Sequence, residues 1–296
     1  MTTKLSPDRA AELHAAVVDA CERMGLSSDG AQLIKYTVNA VYRLDIPVVV
    51  RMGSGNVGQV RGHRLIETAQ WLAARDAPTV RLLDGHQPVI VDGYTVTFWH
   101  ELETRTDWTA RHLAQPLRAL HRLSPTASLP AWNPFDIARR RLDAADSSLP
   151  SDDLRWLRDQ WRAAEQCYAE TKSTMPMGVI HGDPHTGNLL LDESGRIVLC
   201  DLDETGVGPL AWDLVPQAVG AARFDRADFY SEFVEAYGSD VREEPYWPVL
   251  ERIRELIMVT GVVPDMGHRP EIAAEHAHRL ASLRSGDTSA IWHRYQ

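Results

Sequence analysis

One stretch constrains the fold of this 296-residue chain more than any other: residues 177–201, MGVIHGDPHTGNLLLDESGRIVLCD. It is the one β-like interruption in a second half whose apolar residues otherwise recur at helical spacing. Its apolar runs read as strands, and Asp192-Glu193-Ser194-Gly195 reads as the turn joining the last two. The polar run His181-Gly182-Asp183-Pro184-His185-Thr186-Gly187-Asn188 is therefore a loop held by strands at both ends. Directly opposed residues of an antiparallel hairpin lie ~5 Å apart. Asn188 enters the outgoing strand and Asp201 leaves the returning one, so their side-chain oxygens are placed to share one cation. One amide with one or two carboxylates is a hard-oxygen set suited to Mg²⁺ that keeps most of its other ligands from phosphates. Asp183 stands five residues upstream of Asn188, within reach of a substrate hydroxyl beside that metal. A hydroxyl-orienting carboxylate beside an Asn/Asp metal pair is what in-line phosphoryl transfer needs.

The first hundred residues have a different texture. Ser6-Pro7-Asp8 starts a helix, with Leu13, Ala16, Val17 and Ala20 on one face and Gly25 at its end. LIKYTV (33–38), AVYRL (40–44) and PVVVRM (47–52) read as strands, residues 60–75 as a helix with Leu65, Ala69 and Leu72 aligned, and TVRLL (79–83) and YTVTFWHEL (94–102) as two more strands. The expected order is β-β-β-α-β-β, a five-stranded antiparallel sheet with one helix, preceded by the N-terminal helix. The natural cut falls near residue 102, giving a β-rich part over 1–102 and a mainly helical part over 103–296.

Charge and composition exclude several classes. Thirty-one basic residues face 41 acidic ones, for a net charge of −10, which argues against a nucleic-acid surface and permits a cationic small-molecule partner. Cys21, Cys167 and Cys200 are far apart and form no pair, which suits a reducing compartment. The N-terminus lacks a signal-like apolar core, and no apolar run approaches the ~18 residues of a membrane span. A cytoplasmic protein without membrane partners is the expectation. Only Lys4, Lys35 and Lys172 are lysines, so almost every basic residue is arginine.

The cluster resembles the catalytic loop of the aminoglycoside phosphotransferase and choline kinase-like family, whose HGD-x-H-x-x-N pattern is met at His181, Gly182, Asp183, His185 and Asn188. The apolar run ending in Asp201, and the second acid twelve residues on in Trp212-Asp213, match the family's next pattern. The resemblance implies an α+β, two-lobe, protein-kinase-like fold and an O-phosphotransferase using ATP or GTP with Mg²⁺. It implies that Asp183 accepts the proton of the acceptor hydroxyl and that Asn188 and Asp201 hold Mg²⁺. His181, His185 and Asp213 would support the loop. Arg51 in VVVRM takes the place of the usual phosphate-binding lysine, with Glu67 of the following helix orienting it. Backbone groups of Trp99, His100 and Glu101 would hydrogen-bond the base.

The acceptor is less defined. An aminoglycoside-type antibiotic kinase is the leading reading; a metabolite kinase for choline, homoserine, an amino sugar or a sugar shares the template, and a nucleotide-binding pseudokinase is the non-catalytic alternative. Asp203 and Glu204 beside the metal carboxylate, and Asp225, Asp228, Glu232, Tyr246 and Trp247 on the later helices, are the acceptor-site candidates. The expected oligomeric state is a monomer or weak homodimer. Three other signals carry less. His181 and His185 lack a third ligand at zinc spacing. His276 and His278 sit at a spacing that turns their rings apart, as on a helix surface. Gly53-Ser54-Gly55-Asn56-Val57-Gly58 is a literal dinucleotide fingerprint, but of the acids that follow Asp76 falls in the helix-to-strand loop and Asp84 too far along, and no alternating strand–helix series completes a parallel sheet.

Overall fold

The computed structural model describes residues 5–36, 39–145, 149–266 and 269–295. The chain divides into two compact units, one of Met1–Asp107, Ala127–Pro130 and Gly187–Thr205, the other of Trp108–Thr126, Ala131–Thr186 and Gly206–Gln296. The first unit thus joins the β-rich N-terminal segment with residues 187–205.

In the first unit, helix α1 (Pro7–Arg23) starts where the Ser6 hydroxyl accepts the Arg9 N–H, with Pro7 in its first turn. Its apolar stripe Leu13, Ala16, Val17, Ala20 and Cys21 is buried against one face of a five-stranded sheet. The strands are β1 (Gln32–Tyr36), β2 (Ala40–Arg43), β3 (Val48–Ser54), β4 (Val89–Val91) and β5 (Tyr94–His100), ordered β1-β2-β3-β5-β4 with every pair antiparallel. Antiparallel pairing throughout is incompatible with a dinucleotide-binding sheet, so the glycine fingerprint serves another purpose. Residues 37–38, the end of the first expected strand, lie outside the described residues.

Strand alternation decides what each face carries. Val48, Val50 and Met52 point into the core with α1, which leaves Val49 and Arg51 on the opposite face. Helix α2 (Gly55–Ala73) covers that face, and its glycines permit the approach. A Cβ at Gly58 would meet the Gly53 backbone at 3.0 Å, and one at Gly62 would overlap the Thr95 methyl. Gly53 and Gly58 of the fingerprint, with Gly62 one turn further on, therefore let a helix lie close on a sheet.

The expected strand at 79–83 is not a strand, and β4 takes its place in the sheet. Its backbone bonds are split between two partners: Val80 N–H goes to Leu199 and Leu83 N–H to Phe98, with one isolated bridge to each side, Thr79 with Leu199 and Leu82 with Trp99. Neither partner receives enough consecutive pairs to build a ladder.

The polar segment is flanked by β6 (Met177–Ile180), β7 (Leu189–Leu191), β8 (Ile197–Leu199) and β9 (Gly206–Pro209). β7 and β8 form the expected hairpin in the first unit; β6 pairs with β9 in the second. The second unit is otherwise helical: α3 (Ala110–Leu120), α4 (Pro134–Asp143), α5 (Ser151–Thr171), α6 (Val215–Arg223), α7 (Ala227–Tyr237), α8 (Trp247–Thr260) and α9 (Ala273–Ser285). α3 lies against α7, and α5 against α8. His276 on α9 is buried, contrary to the surface position expected of it, whereas His278 is exposed. Among the described residues no helix is long and apolar enough to cross a membrane.

The close fit of α2 is testable. Alanine normally favours a helix over glycine by about 1 kcal/mol. Gly62→Ala should nevertheless lower stability in thermal or urea unfolding, because overlap with a packed, β-branched threonine costs about 1–3 kcal/mol. In a Thr95→Ser background, which removes the offending methyl, the same substitution should be neutral or stabilising.

Candidate active site

The second unit holds the catalytic-type loop through one buried acid. Asp213, at the end of the 3₁₀ turn Leu210–Asp213, is fully buried. Its Oδ2 accepts the His181 N–H at 2.7 Å and its Oδ1 the Gly182 N–H at 2.8 Å. His121 Nε2 lies 2.9 Å from the same Oδ2, and the Tyr237 hydroxyl 2.7 Å from His121 Nδ1, so the imidazole bridges acid and phenol. The Trp212 indole N–H donates to the Gly182 carbonyl at 2.7 Å and the Gln217 amide to the Pro184 carbonyl at 2.8 Å. Gly182 adopts φ +93°, a turn that a side chain would oppose. Three side chains from the following segments thus hold the backbone around Asp183, and His181 is completely buried.

Asp183 itself is half exposed. Its Oδ1 accepts a hydrogen bond from Arg254 Nη1 of α8 at 2.9 Å. Burial pushes its carboxyl up, but Arg254, with His185 and His181 nearby, outweighs this and holds it below the ordinary carboxylate range. It is therefore an anion at neutral pH. His185 stands exposed beside it.

The first unit gathers the phosphate-type residues. Arg51 on β3 makes a short ion pair with Asp203 Oδ2, and its Nη2 lies 3.8 Å from Asp201 Oδ1. Burial raises the Asp203 carboxyl above its usual range, Arg51 pulls it back, and the neighbouring Asp201 adds to the rise. Asp201 has a left-handed backbone, φ +62° and ψ +62°, a conformation that costs a non-glycine residue roughly 1 kcal/mol or more. Asn188 is buried at the base of the hairpin, where its carbonyl accepts the Cys200 N–H at 2.9 Å. Burial, with Asp201 adjacent, pushes the Cys200 thiol up to about 12, which removes it as a nucleophile.

Several expected partnerships are rearranged. Glu67 does not orient Arg51; it is exposed on α2, while Asp203 and Asp201 hold the guanidinium. Helical phase explains this, because the face of α2 that meets the sheet runs through Arg61, Leu65, Thr68, Ala69 and Leu72, and Glu67 falls on the far side. Arg61 instead lines a cavity of about 90 Å³ together with Asn39, Arg51, Gly58, Thr97 and Asp203, and it has no ion-pair partner among the described residues. The expected Leu65-Ala69-Leu72 stripe already contained that signal, since Arg61 lies one turn before Leu65.

The base-binding expectation also shifts. Trp99 is buried with its indole N–H on Thr97, His100 N–H goes to the Arg81 carbonyl at 3.1 Å, and Glu101 N–H to the Pro47 carbonyl at 2.9 Å. These donors belong to the sheet. The next N–H along, of Leu102, has no partner among the described residues, although Glu103 on its other side is bonded to Leu191.

Of the acceptor candidates, Asp203 belongs with Arg51, and Glu204 ends the 3₁₀ turn Leu202–Glu204 in the same unit. Asp225 and Asp228 are exposed, Glu232 faces Arg111 at 3.6 Å, Tyr246 is buried, and Trp247 opens α8. The charged residue that meets Asp183 is Arg254, which nothing in the local sequence singled out.

The loop's dependence on Asp213 is measurable. Asp213→Asn replaces one acceptor oxygen with an amide that faces an N–H donor. Since hydrogen bonds to a charged group are worth about 1.5–3 kcal/mol each, denaturant unfolding should show a loss of about 2–3 kcal/mol.

Comparison with known proteins identifies the family and the fold. The model of the phosphotransferase enzyme family (APH) matches residues 36–256. No curated protein gives a significant match. Among solved structures, a choline/ethanolamine kinase family protein from Mesorhizobium loti is similar at 16% identity with a TM-score of 0.65, covering 93% of this chain and 94% of its own. The choline kinase LicA from Streptococcus pneumoniae gives 13% and 0.65, covering 93% and 98%. The aminoglycoside phosphotransferase APH(3'')-Id from Streptomyces rimosus gives 16% and 0.58, covering 86% and 99%. LicA has also been solved in complex with AMP. With a small antiparallel sheet, a mainly helical remainder and a family match over three quarters of its length, the chain belongs to the phosphotransferase enzyme family and is a small-molecule phosphotransferase of protein-kinase-like fold.

Proposed function

We propose that this protein transfers the γ-phosphoryl group of a nucleoside triphosphate to a hydroxyl of a small molecule, with Asp183 as the catalytic base. The observation that carries this reading is Asp183 itself: an ionised, half-exposed carboxylate on a loop whose backbone is clamped by Asp213, Trp212 and Gln217. Positioning of this kind is the main contribution a protein makes to phosphoryl transfer. The hydroxyl oxygen attacks the γ-phosphorus, its proton passes to Asp183, and the bond to the β,γ-bridging oxygen breaks with its electron pair leaving on the nucleoside diphosphate.

The remaining residues take binding roles. Arg51 and Arg61 face the phosphates from the cavity that both line. Arginine presents a planar fork to two oxygens, where lysine presents a point charge. The Leu102 N–H, rather than those of His100 and Glu101, is the donor for the base, and either ATP or GTP suits a backbone contact. AMP bound to LicA supports nucleotide binding by the shared fold. Asn188 and Asp201 supply an amide oxygen and a carboxylate, a donor set that fits Mg²⁺. When bound, the ion neutralises phosphate charge that Arg51, already engaged with Asp203 and Asp201, covers only in part. The acceptor is a metabolite, in preference to the aminoglycoside of the leading expectation, because a guanidinium, that of Arg254, meets Asp183.

Two variants test these roles in an assay of nucleoside diphosphate release. Asp183→Asn should lower kcat by about 10²–10⁴-fold, the usual range for a lost general base, with nucleotide KM little changed. Wild-type turnover in that variant would remove Asp183 from the mechanism. Arg61→Ala should raise nucleotide KM about tenfold, as expected for a charge-assisted contact worth about 1.4 kcal/mol, while acceptor KM holds. An unchanged nucleotide KM would return Arg61 to a surface role.

A further inference from the structure

We infer that the acceptor carries an anionic group, a carboxylate or a phosphate, close to the hydroxyl that is phosphorylated, and that Arg254 recognises it. The inference rests on the phosphotransferase reading above and adds the class of substrate.

Arg254 is mostly buried, 18% exposed, and its Nη1 donates to Asp183 Oδ1 at 2.9 Å. A guanidinium has five N–H donors in a fixed plane. Nη1 lies on the Cδ side of that plane, so the edge made by Nε–H and Nη2–H is the parallel fork that carboxylates and phosphates take in pairs. Nε is buried and has no hydrogen-bond partner. Asp183 is the one acceptor that Arg254 meets among the described residues. The other acids of α8 are committed elsewhere: Glu255 pairs with Arg223 at 2.6 Å and lies 3.8 Å from Arg252. Glu251, one turn before Arg254, has its carboxyl pushed up to about 7 by burial and by Glu255, with Arg223 the one guanidinium opposing the rise. Among the described residues the fork next to the proposed base therefore lacks a protein anion of its own.

Charge logic points the same way. A cationic acceptor reaching Asp183 would meet the Arg254 guanidinium at the base it needs, a like-charge contact in a partly desolvated site. The acids proposed to attract such a cation are not gathered there. Glu232 is paired with Arg111, and Asp225 and Asp228 are exposed on the turn and first helical residues after α6. One guanidinium shared between Asp183 and the acceptor's anion instead fixes both the base and the substrate in one plane. The hydroxyl and the anion then belong to the same small molecule, a few bonds apart.

The test uses the full chain with Mg²⁺·ATP and two matched acceptor series: glycerate, glycerol 3-phosphate, glycerol and 3-amino-1,2-propanediol; glucuronate, glucose 6-phosphate, glucose and glucosamine. Choline and kanamycin serve as cationic references. ADP release should be faster, by at least ~30-fold in kcat/KM, for an anionic member than for its neutral counterpart, the value of a bidentate charged contact. The carboxylate and phosphate arms separate the two anion types. In Arg254→Gln this preference should collapse to within about threefold, mainly through acceptor KM, with ATP KM and Tm retained. The acid limb of its kcat profile should move to higher pH, since Asp183 loses the cation that keeps it ionised. Arg254→Lys, which keeps charge without the fork, should recover the pH limb more than the acceptor preference. Best turnover with an aminated or cationic compound, no response to any anionic probe while Mg²⁺·ATP still binds, or an unchanged preference in Arg254→Gln each overturns the inference and leaves the phosphotransferase reading standing. Failure to bind Mg²⁺·ATP at all removes that reading and the inference with it.

Discussion

The buried carboxylate of Asp213 is the interaction on which the catalytic loop depends. A fully buried charge is costly unless its lone pairs are filled, and here two backbone N–H groups and one imidazole fill them. The arrangement works in both directions. The loop cannot leave without stranding a charge in a low-dielectric interior, and the charge is tolerable because the loop's own amides solvate it. Asp183 inherits its position from this clamp, two residues beyond His181, so the carboxylate proposed as the base is placed by the hydrogen bonds of a second, buried acid.

Much of this was legible in the sequence because the signals are contiguous. The polar loop between apolar strands, the hairpin after it and the trailing Trp212-Asp213 lie within 33 residues (181–213), and local patterning fixes their pairing. The helix at α2 was equally plain from its apolar stripe. What failed was phase and distance. Glu67 looked suitable by position along the chain, yet a step of six positions from Arg61 turns it some 240° around the helix, away from the sheet. Residues 79–83 have strand composition, but their hydrogen bonds are divided between two partners, a tertiary outcome that no local pattern encodes. Arg254 lies 71 residues beyond Asp183, in a helix with several other arginines, and nothing in its neighbourhood distinguishes it.

The glycine fingerprint shows the same limit from the other side. A literal match to a phosphate-binding pattern turned out to ease a helix onto an antiparallel sheet, through Gly58 against Gly53, and Gly62 beyond the match does the same against Thr95. The glycines are required by close approach of backbones, which is one physical reason for such residues in any fold. The pattern carries its nucleotide meaning only when a parallel sheet follows, and here the register of β3 with β5 excludes that.

Net charge misleads for a related reason. A balance of −10 describes the whole surface, whereas exposed charges are screened over about 8 Å at physiological ionic strength. The groups that matter are matched locally by arginine: Arg254 on Asp183, and Arg51 on Asp203 with Asp201 nearby. Arginine stays charged at any working pH and holds a planar geometry, so these pairings fix orientation as well as charge. A chain with almost no lysine therefore carries an arginine fork, not a mobile point charge, on β3, and a second fork beside Asp183. The polarity of a binding site has to be read from such pairs, because the excess of acid elsewhere on the surface does not reach it.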